Sequence, residues 1–322
     1  MRMSVVIPTY RRPELLRRCL GAVLAQRFDP AAFEVVVCDD GHDEATRALV
    51  ESMQPPGGAP LLRYLRPAVG RGPAVARNAG WRAASGALIA FTDDDTIADP
   101  GWLAAGERAM AAAGWSAVCG AVQVPAPTPP TDHELMTLGL AKAEFVTANA
   151  IVRRSALEAV GGFDERFTRA WREDSDLQFR LMAQVGPVGR AADAVVAHPV
   201  RSERWGISLR QQRNAFFEAL LFKKHPRLYR ERIDPSPPWH YYAIVAATAG
   251  TVGFAAARAA VPAAASAAVA AALVCRFAAR RLQPTARNPG HVVEMLATSA
   301  LIPFLSVYWR LRGALHFGVR FW

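Results

Sequence analysis

Three short polar clusters stand where chemistry is easiest to build. Asp39-Asp40-Gly41 follows the apolar run Glu34–Cys38, Asp93-Asp94-Asp95 follows Ala87–Phe91, and Pro8-Thr9-Tyr10 follows Ser4–Ile7. In open parallel α/β sheets, ligands bind beyond the carboxyl ends of the strands. If these runs are neighbouring parallel strands, five carboxylates converge on one cleft. Packing like charges together is costly unless a cation or hydrogen bonds compensate. A hard divalent ion with oxygen ligands is the natural compensation. Each cluster also has a plainer reading. Asp39-Asp40-Gly41 taken alone is equally a turn followed by a helix cap. Asp93 to Asp95 taken alone is a solvated acidic loop, but its place after an apolar strand and before Ile97 and Trp102 favours a metal or nucleotide role.

The elements that would carry these clusters are legible in the first third of the chain. Ser4–Ile7, Glu34–Cys38, Leu61–Leu65 and Ala87–Phe91 read as strands. Between them, Pro13–Gln26, Glu44–Met53 and Pro73–Ala84 read as helices; the first places Leu15, Leu16, Cys19, Leu20 and Val23 on one face. This alternation predicts an α/β fold with a mainly parallel sheet and helices on both faces. Runs such as Val35-Val36-Val37-Cys38 lack polar alternation, as strands covered on both sides do. The middle third is less regular. Pro125–Pro130 is an exposed connection, Phe145–Val152 a strand, Ser155–Val160 a short helix and Asp176–Gln184 another.

Composition narrows the function classes. Of 322 residues, 52% are hydrophobic, which excludes a largely disordered chain. The net charge is +10, and part of the excess lies from Arg201 to Arg232, where nine Lys or Arg face three acids. Basic residues are not interleaved with stacking aromatics in a compact module, so no nucleic-acid partner is expected. The four cysteines are widely spaced, without a CxxC pair, and read as buried free thiols rather than a zinc site or disulfide framework. The GxxxxGK[ST] phosphate loop is absent, and Gly70-Arg71-Gly72 does not open from a strand as a dinucleotide motif requires. The apolar stretch near Met1 is too short for a signal peptide, so the front of the protein is expected in the reducing cytoplasm.

The segments SVVIPTYRRPELL, VVVCDDG, AVARNAG and FTDDDT follow one another in the order and spacing of family 2 glycosyltransferases of the GT-A fold. TANAIVRRSALEAVGGFDERF and WREDSDLQFRL resemble the acceptor half of the same family, so the resemblance runs from residue 3 to 225. It implies a sugar transferred from a nucleotide-sugar donor, typically a UDP-sugar, to a hydroxyl acceptor, with inversion. By resemblance, Thr9, Tyr10 and Asp40 line the nucleoside pocket, Asp40 accepting from the base ring N–H. Arg77 also reaches the nucleotide, Asp93 faces the ribose, and Asp94 belongs to the same donor site. Asp95 ligates Mg²⁺ or Mn²⁺, His198 completes the metal site, and Asp174 is the general base. The usual Tyr-Asn is Tyr10-Arg11 here, and Gln211-Gln212-Arg213 lacks the tryptophan of the processive QxxRW signature, which argues against a polymer-forming enzyme. Two other functions compete. A sugar-phosphate nucleotidyltransferase would need a glycine-rich N-terminal loop, which Ser4–Arg12 lacks; a non-catalytic nucleotide-sugar-binding scaffold would be expected to lose the acidic motifs.

The last quarter changes character. Trp239–Ala257 and Ala259–Cys275 contain no Asp, Glu, Lys or Arg, and Val292–Trp309 contains one acid before its last residues, Glu294. A membrane span needs about 20 apolar residues. Basic residues flank the outer ends of the first two segments, with aromatics at Trp239, Tyr241 and Tyr242. The expected organisation is a catalytic domain over 1–234 and a hydrophobic helical region over 235–322, a membrane hairpin with the catalytic domain facing the cytoplasm. The acceptor would then be lipid-linked. A soluble helical tail is the alternative, because alanine is only weakly apolar.

Overall fold

The computed structural model describes residues 1–68 and 72–321; the Gly70-Arg71 pair of the glycine-rich run lies outside the described residues. Packing divides the chain into two units: Met1–Pro125 with Gly139–Val200, and Ala126–Leu138 with Arg201–Trp322. The division expected after residue 234 falls inside the second of these.

In the first unit, β1 (Met3–Thr9), α1 (Pro13–Leu24), β2 (Phe33–Asp39), α2 (Glu44–Ser52), β3 (Leu61–Leu65), α3 (Pro73–Ala83) and β4 (Leu88–Phe91) follow the expected alternation. Then come β5 (Ile97–Ala98), α4 (Trp102–Ala112) and β6 (Ala117–Gln123). After α5 (Asp132–Leu138), which belongs to the second unit, follow β7 (Ala150–Arg153), α6 (Arg154–Val160), α7 (Glu173–Gln184) and β8 (Val188–Ala197). The sheet has the order β3-β2-β1-β4-β7-β6-β8-β5. Strand β1 pairs in parallel with β2 and β4, and β2 with β3. Strand β7 runs antiparallel to both β4 and β6, and β8 is parallel to β6. Two reversals restore direction, so β6 and β8 point the same way as β1 to β4. All six therefore deliver their carboxyl ends to one edge. Every residue of β2 is buried, which explains its unbroken apolar run. Leu16, Cys19, Leu20 and Val23 of α1 are buried in the core, each larger one contributing roughly 1.5–3 kcal/mol.

Three elements differ from the sequence expectation. The strand expected over Phe145–Val152 is confined to β7, because Thr147–Asn149 forms a 3-10 turn. That turn aims Asn149 into the irregularity between Gly120 and Ala121 of β6, where its Nδ2 donates to the carbonyls of Ala121 and Ala194 at 2.9 and 2.8 Å. Carbonyls left open by a bulge need such a partner. Helix α7 begins at Glu173 rather than Asp176, following Arg172 in the left-handed region, and its first turn holds Glu173, Asp174 and Asp176. Acids there are favoured by the helix dipole. Of the cysteines, Cys19, Cys38 and Cys119 are buried but Cys275 is exposed.

The second unit is helical: α8 (Ile207–Gln211), α9 (Ala215–Lys224), α10 (Pro226–Arg232), α11 (Trp239–Ala256), α12 (Ala260–Leu282) and α13 (Pro289–Phe317). Helices α11 and α12 form a hairpin through Arg258, which adopts φ 58°. Small residues allow their close approach, and Ser266 Oγ donates to the Ala247 carbonyl at 2.9 Å. Among the described residues two helices, α12 and α13, are long and apolar enough to cross a membrane. None of the most apolar stretch of α12 is buried, against 39% of that of α13.

Candidate active site

The acidic run lies just past β4, where the chain must turn before β5. Two threonines flanking the run pin that turn. Thr92 Oγ1 meets Thr96 Oγ1 at 2.6 Å and donates to the Ala148 carbonyl at 2.9 Å, and Thr96 Oγ1 donates to the Asp93 carbonyl at 2.8 Å. The buried thiol of Cys19, whose pKa burial pushes far up, also points at the Asp93 carbonyl. With the backbone held this way, the three carboxylates diverge.

Asp95 meets His198. Strand β5 pairs antiparallel with the end of β8, Ile97 opposite Ala197, so the neighbours Thr96 and His198 come alongside. His198 Nε2 lies 3.4 Å from Asp95 Oδ1. One ligand atom from each of Asp93, Asp95 and His198 falls within 4.8 Å of the others. His198 Nδ1 is buried without a hydrogen-bond partner. Two hard carboxylates and an imidazole are a donor set suited to a divalent ion such as Mn²⁺, and an unsatisfied buried nitrogen is consistent with a site that a further group completes. The residues present therefore fit the implied cation.

Asp94 turns the other way. It accepts from Thr9 Oγ1 at 2.8 Å and lies 3.4 Å from Arg12 Nη1. Burial pushes its carboxyl up to about 6; Arg12 and Thr9 oppose this, and Asp95 and Asp93 add to it. Thr9 and Asp94 thus hold each other.

At the end of β2 the two aspartates separate in function. Asp39 is fully buried and accepts from the backbone N–H of Gly41 and Asp43 and from the Tyr64 hydroxyl, at 2.7–2.8 Å. It shapes the loop. Asp40 accepts from the Gly72 N–H at 2.8 Å through Oδ2, while its Oδ1 is buried with no partner. Gly72 has φ +107°, and a Cβ there would lie 2.7 Å from the Thr168 carbonyl, so only glycine fits at the position whose N–H meets Asp40. A buried acceptor oxygen without a donor is what an incoming N–H would satisfy. Tyr10 is half-exposed, and the Arg11 guanidinium lies over its ring at 5.4 Å.

Arg77 is 2% exposed, and its terminal nitrogens are taken by protein carboxylates: Nη2 by Asp93 at 2.7 Å and Nη1 by Glu173 at 3.0 Å. Arg77 thus bridges the acidic run and α7. Burial and the neighbouring Asp174 push the Glu173 carboxyl up to about 7, against the pull of Arg77. Asp174 is also raised, by burial; the Ser175 N–H, at 2.7 Å, opposes this, as do Arg172 and Arg77. Two adjacent carboxylates in a dry site share the difficulty of ionising.

Sequence reasoning passed over Thr92, Thr96, Arg12 and Asn78. The threonines bracket the acidic run and were visible as such. Asn78 ties α3 to the loop ahead of α7, donating to the Phe163 carbonyl and Glu165 and accepting from the Phe163 N–H, at 2.8–2.9 Å. Gly162, φ +74°, makes room for it: a Cβ there would lie 2.4 Å from Asn78 Oδ1.

A mostly parallel sheet whose carboxyl edge presents a carboxylate–histidine cluster beside an unsatisfied buried aspartate oxygen is a GT-A-like architecture. A solved mannosyltransferase from Pyrobaculum calidifontis, described in complex with GDP-Man and Mn²⁺, has the same fold: the TM-score is 0.59 at 22% identity, covering 96% of this chain and 87% of that one. The family described as glycosyl transferase family 2 matches residues 4–161. A validoxylamine A glucosyltransferase from Streptomyces hygroscopicus is 30% identical over 278 residues, 71% of this chain and 58% of that protein. A GalNAc(5)-diNAcBac-PP-undecaprenol β-1,3-glucosyltransferase from Campylobacter jejuni is 30% identical over 94 residues, 29% of each. This chain belongs to glycosyl transferase family 2. It spans less than two-thirds of the length of the first curated relatives it matches.

Proposed function

We propose that the chain transfers a sugar from a nucleotide-sugar donor, a UDP-sugar by the family resemblance, to an acceptor hydroxyl with inversion at the anomeric carbon. The observation that carries this reading is the cluster of Asp93, Asp95 and His198 at the strand-end edge. In this reading residues 1–234 are the catalytic domain. Asp40 Oδ1 receives the base N–H, Thr9 and Tyr10 border the nucleoside, and Asp93 faces the ribose, steadied by Arg77. Asp94 braces Thr9 from below. Asp95 and His198 hold Mg²⁺ or Mn²⁺, which when bound neutralises charge developing on the leaving diphosphate. Asp174 takes the proton as the acceptor oxygen bonds to the anomeric carbon and the bond to the diphosphate breaks. A single displacement needs one base. The raised pKa of Asp174 makes it a better proton acceptor than an exposed aspartate, and the dipole of α7 keeps its charged form accessible.

The apolar helices support attachment to a membrane, and the basic flanks of the hairpin favour a cytoplasmic catalytic unit, where a lipid-linked acceptor is available. The name of the Campylobacter relative supports an acceptor of that kind. The test is a panel of nucleotide-sugars with Mn²⁺, scoring release of nucleoside diphosphate by the full chain in neutral detergent. Release with at least one donor, abolished by chelator, is expected. Donor turnover undiminished in excess EDTA refutes the metal assignment, and no release with any donor refutes the enzyme reading.

A further inference from the structure

From Pro235 to Val293 the chain has no acid, yet it carries Arg258, Arg276, Arg280, Arg281 and Arg287. Four of these five cluster at one end of the α11–α12 hairpin, and the structure shows what they line. A cavity of about 360 Å³ is bounded by His240 and Ile244 of α11 and by Leu273, Arg276, Phe277, Arg280 and Arg281 of α12. The α12 residues recur at three- and four-residue spacing, and so form one stripe of the helix. A second cavity, of about 600 Å³, shares Arg276 and Arg280 with the first and adds Gln283, Arg287 and Val292. Both fall in the size range of small-molecule sites, roughly 300–1,000 Å³.

The lining is mixed. Ile244, Leu273 and Phe277 supply apolar lining, and the interleaved arginines supply cationic lining. The arginines are not alike. Arg281 is engaged within the unit, donating to Thr298 Oγ1, Ser299 Oγ and Asp132 Oδ2 at 2.7–2.9 Å. Arg276, Arg280 and Arg287 are exposed and make no ion pair among the described residues. Three guanidiniums brought together without a carboxylate repel one another, and an anion relieves that. Guanidinium forks match phosphate oxygens in pairs. The anion should also carry an apolar chain. The cavity's apolar lining is continuous with α12, whose most apolar stretch has no burial in the protein.

We propose that this double cavity is a lipid-phosphate site: the phosphate of a long-chain amphiphile sits between Arg276, Arg280 and Arg287, and its chain runs along Ile244, Leu273 and Phe277. The site lies wholly within the second unit and does not depend on the catalytic reading. It differs from general attraction of a basic surface to a membrane, because the arginine geometry, and not only the charge, is required.

The probe is phosphatidic acid with a fluorescent acyl chain, titrated into the full chain held in neutral detergent. Saturable binding is expected. The double variants Arg276→Gln/Arg280→Gln and Arg276→Lys/Arg280→Lys should each weaken it by at least about tenfold, since glutamine removes the charged donors and lysine keeps the charge but not the fork. Arg258→Gln, at the opposite end of the hairpin, should leave it unchanged. Helical content and the thermal unfolding midpoint of each full-length variant serve as the folding control, since the second unit is helical. Full binding by the lysine variant overturns the proposal in favour of diffuse electrostatics. Competition by diacylglycerol as strong as by unlabelled phosphatidic acid overturns phosphate recognition. Displacement by inorganic phosphate at equal concentration overturns the lipid half.

Discussion

Replacing Arg77 by methionine keeps much of the side chain's length and removes the charge that joins Asp93 of the acidic run to Glu173 of α7. Removing one partner of a buried ion pair costs roughly 3–5 kcal/mol when the survivor stays charged. Here Glu173 has an escape. Burial and the neighbouring Asp174 already push its carboxyl up to about 7, so near neutral pH it takes a proton at little cost. Asp93 is 26% exposed and keeps part of its hydration. The expected loss at pH 7 is therefore about 1–2 kcal/mol, below the usual range for a broken buried pair. The sign of the pH dependence follows. Above pH 7 the wild-type Glu173 is ionised and paired. In the variant it must hold its proton or ionise alone, and the unfolded chain does neither. The difference should grow with pH by up to about 1.4 kcal/mol per unit. Amide exchange across α3 and α7, measured between about pH 6 and 9 with correction for intrinsic rates, reads this local opening without interference from the second unit. A difference below about 0.5 kcal/mol that stays flat with pH would refute the bridge.

Asp95→Asn should abolish transfer and the effect of Mn²⁺ on donor binding while leaving thermal unfolding within about 0.5 kcal/mol of wild type, because Asn keeps the shape and loses the ligand charge; retained Mn²⁺ dependence would reassign the ligand. Asp174→Asn should lower turnover by about 10²–10⁴-fold with donor affinity kept; collapse of donor affinity would make it a binding residue. Glu173→Gln should leave the acidic limb of the pH–turnover profile in place, since burial raises Asp174 and Glu173, itself held up by the Asp174 charge, stays protonated while Asp174 titrates; a limb displaced to lower pH would show that Glu173 is charged first. Gly162→Ala should destabilise the first unit by roughly 2–4 kcal/mol, from a left-handed backbone and a Cβ driven into Asn78, as read by the unfolding midpoint; near-neutrality would show that the loop rearranges freely.

Local pattern was sufficient for the first four strands and three helices, because each is a contiguous apolar run or a helical stripe closed by a turn or cap. The same pattern set Asp39-Asp40 and Asp93 to Asp95 at the ends of apolar runs, where charged residues stand out in one dimension, whereas Asp174 was reached only through the family resemblance. Local pattern was not sufficient for β6, which contains Ala and Gly, or for β8, whose Arg190 and Asp193 interrupt the apolar pattern; neighbouring strands, rather than intrinsic propensity, make them strands.

Which carboxylate faces which partner was decided only in three dimensions. Asp93, Asp94 and Asp95 are consecutive and chemically identical, yet one pairs with Arg77, one with Thr9 and one with His198. That sorting depends on a threonine-pinned turn and on the register of β5 against β8, which joins residues about a hundred positions apart. Arg77 shows the same limit. That it joins Asp93 to Glu173, two carboxylates from distant elements, is visible only in the packing. The cavity at the end of α12 likewise emerged only when the hairpin closed: an arginine's spacing along a helix says which stripe it joins, and not whether a carboxylate from elsewhere reaches it. Arg281 found Asp132, and Arg276 and Arg280 did not. Short-range order is written in neighbouring residues, whereas the pairing of charges depends on packing across the whole fold.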